Sequence, residues 1–102
     1  MKTVIEGKIY NTETAEMIHE WENSYGRSDF NWCRECLYKT EKGAWFVAGE
    51  GHANSRWAES YGTSRGPGEG IMPLSNSEAL DWCETHEVDV DLIGEHFEID
   101  EA

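Results

Sequence analysis

Three cysteines and one histidine have the spacing of zinc ligands. Cys33 and Cys36 form a C-x-x-C pair, and Cys83 and His86 form a C-x-x-H pair. Three thiolates and one imidazole bind zinc tetrahedrally in structural sites. Cys83 and His86 share one face of a predicted helix, whereas Cys33 and Cys36, if both lie in the strand that follows, point to opposite faces. The principal prediction is therefore three buried thiols and no metal or other cofactor, and a small zinc-binding interaction module is the alternative.

No arrangement of residues indicates catalysis. The Gly-x-Ser-x-Gly pattern of serine hydrolases is absent, and neither Gly49–His52 nor Gly66–Gly70 contains the Gly-Lys-Ser/Thr of a phosphate-binding loop. The 21 acidic residues would place carboxylates near one another in any fold, and most lie on predicted exposed faces where their acidity would be ordinary. We therefore expect a protein that is not an enzyme.

The C-terminal third of the chain is strongly anionic. It contains acidic residues throughout, and no lysine or arginine follows Arg65. The formal net charge of the chain is −13, with a pI near 4.5. Such a protein is repelled by nucleic acids and by anionic membranes. Its expected partners are cationic (a nucleic-acid-binding protein, a basic peptide or a metal ion), unless the acidity serves only solubility.

The spacing of the carboxylates suggests mimicry of a nucleic acid. Glu78, Asp81 and Glu84 recur every third residue of a predicted helix, a rise of about 4.5 Å per step, and phosphates along one DNA strand advance by about 3.4 Å. Carboxylates also offer lysine and arginine the charge-assisted hydrogen bonds that phosphates offer. The predicted partner-binding residues are Glu78, Asp81, Glu84, Glu87, Asp89, Asp91, Glu95 and Glu98, a second helical stripe of Glu13, Glu16 and Glu20, and the rim aromatics Trp57 and Tyr61.

Hydrophobic periodicity and capping signals predict one α+β domain over residues 1–102. Its expected core is a three- to four-stranded, mainly antiparallel sheet with two to three helices packed on one face. The predicted segments are a strand over 2–10, a helix from about 12 to 23, a hairpin of strands 36–40 and 44–50, an ambiguous segment 52–61, a loop over 62–70, a strand over 70–74, a helix that begins at the capping box of Ser75 and Glu78 and ends near His86, and a last helix capped by Asp89 or Asp91.

The N-terminus and the cysteine count predict a cytoplasmic protein. MKTVIEGK has no apolar run typical of a signal peptide, and no segment approaches the length of a transmembrane helix. An odd number of cysteines, three, is typical of reduced intracellular thiols. We therefore expect a soluble protein that is not attached to a membrane; its oligomeric state is left open.

Several phrases resemble a recurring kind of small acidic bacterial protein. They are IYNTETAEMIHEW, ECLYKTEKGAWFVAGEG, SRWAESYG and IMPLSNSEALDWCETH, which together span roughly residues 8–86. The resemblance implies a setting in prophages or other mobile elements, and it assigns no activity and no site residues. The three cysteines depart from the pattern. In size and acidity the chain is also similar to anti-CRISPR and anti-restriction proteins. The resulting hypothesis is an inhibitor that occupies the nucleic-acid-binding surface of a host defence complex, such as a ribonucleoprotein CRISPR effector, and binds no nucleic acid directly.

Overall fold

The computed structural model describes all residues from Met1 to Ala102 and contains eight strands and two helices. The strands are β1 (Lys2–Ile5), β2 (Lys8–Asn11), β3 (Glu16–Glu22), β4 (Cys33–Lys39), β5 (Trp45–Gly51), β6 (Glu59–Tyr61), β7 (Ser64–Gly66) and β8 (Gly68–Leu74), and the helices are α1 (Asn76–Thr85) and α2 (Val90–His96). Strands β3, β4, β5 and β8 form one antiparallel sheet in that order, and β1–β2 and β6–β7 are separate hairpins. The α+β class and the four-stranded antiparallel sheet are confirmed.

The predicted hairpin is present as β4 and β5, and these two strands form the centre of the sheet. Gly43 has a φ of 86°, the left-handed conformation that glycine adopts without steric cost. Its amide donates to the carbonyl of Thr40, and the Thr40 amide donates to the carbonyl of Ala44. This tight connection sets the register in which Glu35 lies opposite Gly49.

The hydrophobic core lies on one face of this sheet, here called the inner face. Leu37, Trp45 and Val47 contribute the sheet side, and the helical region contributes Ala79, Trp82, Cys83, Val88 and Phe97. The capping box that fixes the start of α1 is present, because Ser75 and Glu78 exchange side-chain and backbone hydrogen bonds. Asp89 caps α2, and Phe97 after it stacks on Trp45 at 4.8 Å between ring centroids.

The prediction of a helix from about residue 12 to 23 is wrong, because this segment is a turn followed by strand β3. Asn11 accepts a hydrogen bond from the amide of Glu13 through its side chain and from the amides of Thr14 and Ala15 through its carbonyl, which closes the turn. The register of β3 against β4 then shifts between Met17 and His19. This bulge lets residues three apart, Ile18 and Trp21, both pack on the core. Spacing by three is also the spacing of one helical face, which explains the error.

Three other segments differ from their predictions. The single strand over 2–10 is a hairpin, with Glu6 and Gly7 at positive φ in its turn. The loop over 62–70 contains β7 and the first residues of β8, because β8 pairs with β5 along its whole length. The ambiguous segment 52–61 is a series of turns that ends in β6. Pro73 lies in β8, which is an edge strand of the sheet, the position in a sheet that tolerates proline.

Neither helix has both the length and the apolar character needed to cross a bilayer.

Candidate functional site

The acidic side chains of the C-terminal third form an uncompensated surface. All eleven, from Glu69 to Glu101, are exposed. The only carboxylates that form ion pairs in the protein belong to Glu20, Glu35 and Glu50. No residue of this third is therefore neutralised by a cation of the same chain. We call the part carried by α1, α2 and their flanking residues the acidic surface; it comprises Glu78, Asp81, Glu84, Glu87, Asp89, Asp91, Glu95 and Glu98.

The acidic stripe on α1 has the predicted geometry. Ala79, Trp82 and Cys83 are buried in the core, whereas Glu78, Asp81 and Glu84 are exposed. The helix ends at the His86 cap, and Glu87 then adopts a φ of 54°. Two of the carboxylates on the acidic surface also hold the backbone. Glu78 accepts from the Ser75 amide at 2.8 Å, which lowers the pKa of Glu78, and Asp89 accepts from the Asp91 amide at 2.8 Å.

The second stripe predicted from Glu13, Glu16 and Glu20 does not exist as such, because this segment is not helical. Glu13 lies in the turn after β2, and the other two lie in β3. Glu20 accepts from Nε of Arg34 at 2.7 Å, and this hydrogen bond is the main reason that the pKa of Glu20 is lowered. The acidic surface therefore does not include Glu13, Glu16 or Glu20.

Trp57 is not a free aromatic residue on a rim, contrary to the prediction. Its indole lies flat against the sheet, so closely that a Cβ added to Gly49 would be 2.1 Å from Cε2 of the ring. Gly49 and Gly70 pair across β5 and β8, and together they provide the flat surface on which the ring rests. Tyr61 is 57% exposed, and its hydroxyl has two acceptors within hydrogen-bond distance, the Glu59 carboxylate at 3.3 Å and the Pro67 carbonyl at 3.2 Å.

The buried carboxylate of Glu35 links strand β4 to the turn segment 52–58 and to helix α1. The residue is 3% exposed. Arg56 binds it in a bidentate manner, with Nε at 2.7 Å from Oε2 and Nη2 at 2.9 Å from Oε1. The indole N–H of Trp57 donates to Oε2 at 2.9 Å, and that of Trp82 donates to Oε1 at 2.8 Å. Each oxygen thus accepts one indole hydrogen bond, and the guanidinium lies against both oxygens, so the buried charge is paired and solvated by the protein.

His86 lies beside this carboxylate, between two indoles. Its ring centroid is 4.2 Å from that of Trp21 and 4.5 Å from that of Trp82. Nε2 is 3.9 Å from Oε1 of Glu35. Burial lowers the pKa of His86, and the nearby carboxylate opposes that effect only in part. The imidazole therefore packs as a neutral aromatic group near pH 7.

The structure does not bring Cys33, Cys36, Cys83 and His86 together. Alternation along β4 places Cys33 on the face of Glu35 and Cys36 on the opposite face, and no group of three or more ligating side chains has the geometry to hold a metal. All three thiols are buried. Burial raises their pKa values, that of Cys33 to about 11. Their raised pKa values disfavour the thiolate form, which is the form that attacks electrophiles or binds metals.

The chain was compared with known protein families, curated proteins and solved structures, and none of them matches it.

The prediction from sequence missed the cluster around Glu35. One signal was present, because Glu35 shares one face of its strand with Cys33 and Leu37, which are apolar. A tryptophan that is buried usually needs an acceptor for its indole N–H, and the chain has five tryptophans in total. An acidic residue on the inner face of a central strand is a natural acceptor for such groups.

Proposed function

We propose that this protein is an inhibitor that binds a cationic, nucleic-acid-binding partner through the acidic surface, in the manner of a DNA mimic. The resemblance noted from the sequence suggests a setting in a bacterial mobile element, and the partner would then be a host defence complex in the cytoplasm, such as a CRISPR effector. The protein acts by occupying the partner's binding groove, and this function requires no catalytic step and no cofactor.

One observation carries this proposal: the carboxylates of α1 and α2 are exposed and have no cationic partner within the chain. Like charges spaced by three and four along a helix destabilise it by a few tenths of a kcal/mol per pair. Surfaces selected for stability mix both signs. A partner that carries lysines and arginines would remove this repulsion when it binds.

The first experiment is an affinity purification from a bacterial host lysate with the tagged protein, followed by washes of increasing salt. Exposed charges are screened over about 8 Å at physiological ionic strength, so a specific partner should elute as salt rises. Added DNA or RNA should compete for that partner. Recovery of a partner that is indifferent to salt and to nucleic acid would contradict the mimicry proposal.

Binding of two matched variants to the isolated partner then shows whether the acidic surface is the interface. The test variant carries Asp81→Lys, Glu84→Lys and Glu95→Lys, which leaves the caps made by Glu78 and Asp89 intact. The control carries Glu13→Lys, Glu16→Lys and Glu41→Lys, three exposed positions outside the acidic surface.

Each reversal adds two charges, so both variants move from a formal −13 to −7. We expect the test variant to lose binding at least tenfold and the control to lose little. Equal losses would show that only net charge matters, and no loss in the test variant would place the interface elsewhere.

A further inference from the structure

A groove between two loops and strand β7 holds the only arginines that lack a carboxylate partner. The chain has four arginines; Arg34 pairs with Glu20 and Glu50, and Arg56 pairs with Glu35. Arg27 and Arg65 form no ion pair, although the chain contains 21 acidic residues. Both line one groove of about 260 Å³, and none of its lining residues is acidic. We call it the basic groove; its other lining residues are Ser28, Phe30, His52, Ala53, Gly66 and Pro67.

Hydrogen bonds and a cation–π contact hold the side chains of the basic groove in defined positions. The His52 amide donates to the carbonyl of Trp32, and the Asn54 amide donates to the carbonyl of Phe30, so the two loops pair as a short ladder. The guanidinium of Arg27 lies over the Trp32 ring at 5.0 Å, while Nε2 of His52 donates to the Arg27 carbonyl. Arg65 donates to the Ser55 carbonyl at 3.3 Å through Nη2. Each guanidinium retains N–H groups that no protein acceptor uses.

Phe30 adds an aromatic surface to the groove. Its side chain is 71% exposed, although its backbone is fixed by the hydrogen bond to Asn54. An exposed aromatic ring beside two guanidinium groups is suited to a ligand with a planar ring and an oxyanion. Planar bases stack on aromatic side chains, and guanidinium groups bind phosphate with paired N–H donors.

The groove and the end of α2 lie at opposite ends of strand β5. The groove lies where β4 begins and β5 ends, whereas the residues at the end of α2 contact Trp45 at the start of β5. Seven residues of an extended strand separate the two ends by roughly 20 Å, which exceeds the screening length of about 8 Å. Glu50, Glu59 and Glu69 line a neighbouring hollow on the other side of His52 and Pro67. They disfavour a long polyanion more than a single phosphate.

We propose that the basic groove binds a small phosphate monoester carried on a planar base, that is, a mononucleotide. Arg27 and Arg65 would bind the phosphate, and Phe30 would stack on the base. This site is separate from the acidic surface and does not depend on the proposed inhibitor function. A ligand of this size fits the groove, whereas a longer nucleic acid would meet the neighbouring carboxylates.

The test is a titration of the ¹⁵N-labelled protein followed by NMR, with inorganic phosphate, adenosine 5′-monophosphate and adenosine as separate probes at constant ionic strength. We expect saturable shifts of amide signals confined to residues 27–30, 52–53 and 65–66. The monophosphate should bind more tightly than phosphate, with a Kd on the order of 1 mM or below, and adenosine should give no saturable shift. Sodium chloride alone should not reproduce these shifts.

Four variants separate the contributions. Arg27→Gln and Arg65→Gln should each weaken the monophosphate about tenfold, the effect of one charge-assisted contact. Phe30→Ala should weaken the monophosphate and leave inorganic phosphate unchanged. Lys42→Gln, an exposed cation in the β4–β5 turn, is the control and should change nothing. The absence of saturable shifts up to about 20 mM, or equal losses in Lys42→Gln and the arginine variants, would overturn the proposal.

Discussion

Glu35 and Glu20 offer a matched test of what burial does to an arginine–carboxylate pair. Each carboxylate has an arginine Nε at 2.7 Å, but the Glu35 side chain is 4% exposed and the Glu20 side chain is 45% exposed. The substitutions Glu35→Gln and Glu20→Gln make the same chemical change at both sites. The difference between their effects on the free energy of unfolding therefore reports the environment and not the residue type.

The magnitude follows from the hydrogen bonds of Glu35. Each of its oxygens accepts one indole N–H; Oε1 also accepts from Nη2 of Arg56, and Nε of that arginine lies 2.7 Å from Oε2. Glutamine has one acceptor oxygen and one NH2 group, so either orientation leaves the indole of Trp57 or of Trp82 facing a donor. A buried donor without a partner costs about 1–3 kcal/mol, and a lost bond to a charged group costs about 1.5–3 kcal/mol. We expect Glu35→Gln to lose about 3–5 kcal/mol, and Glu20→Gln to lose less than about 1 kcal/mol.

Urea unfolding followed by tryptophan fluorescence and by circular dichroism measures both losses. A domain of this size has about 5–15 kcal/mol of stability in total, so Glu35→Gln should shift the unfolding midpoint markedly at an unchanged m-value. Arg56→Gln and the double variant complete a cycle, in which we expect a coupling of more than about 1 kcal/mol. If Glu35→Gln costs no more than Glu20→Gln, the buried network does not stabilise the fold.

Two further predictions concern His86 and the thiols. Because burial lowers the pKa of His86 below its ordinary 6.5, the unfolded chain binds more protons between that folded pKa and 6.5. Stability should therefore fall as the pH drops below about 6.5, by at most about 1.4 kcal/mol per pH unit. His86→Gln should flatten the pH dependence of the unfolding free energy in that range, and an unchanged slope would contradict the assignment. Because all three thiols are buried and have raised pKa values, native protein at pH 8 should react with iodoacetamide far more slowly than unfolded protein. A chelator should leave the thermal midpoint unchanged; prompt alkylation, or one equivalent of zinc in the purified protein, would refute this account of the cysteines.

Elements whose structure is determined by residues close in sequence could be predicted from local signals. The β4–β5 hairpin, the capping box of α1 and the Asp89 cap of α2 all depend on contacts within a few residues. Strand β3 is different, because its conformation depends on pairing with β4 and on the bulge between Met17 and His19. The bulge places Ile18 and Trp21 on one side of the strand and so imitates a helical pattern. Only the tertiary pairing distinguishes the two interpretations.

The acidic surface could be predicted from the sequence, whereas the Glu35 cluster could not, because only the cluster depends on tertiary contacts. A run of acidic residues without lysine or arginine is visible in the sequence itself, and its exposure does not depend on contacts with distant residues. The cluster requires Glu35 of β4, Arg56 and Trp57 of an irregular segment, and Trp82 of α1 to meet, and the residue pairs that bond are 21 to 47 positions apart. Arg56 has no periodic signal that marks it as a partner, because residues 52–58 form turns. Hydrogen bonds of this kind tolerate few alternative arrangements of the three segments, so the cluster sets how α1 sits on the sheet. It thereby fixes the direction in which Glu78, Asp81 and Glu84 face solvent, and the orientation of the acidic surface depends on a carboxylate that carries no exposed charge.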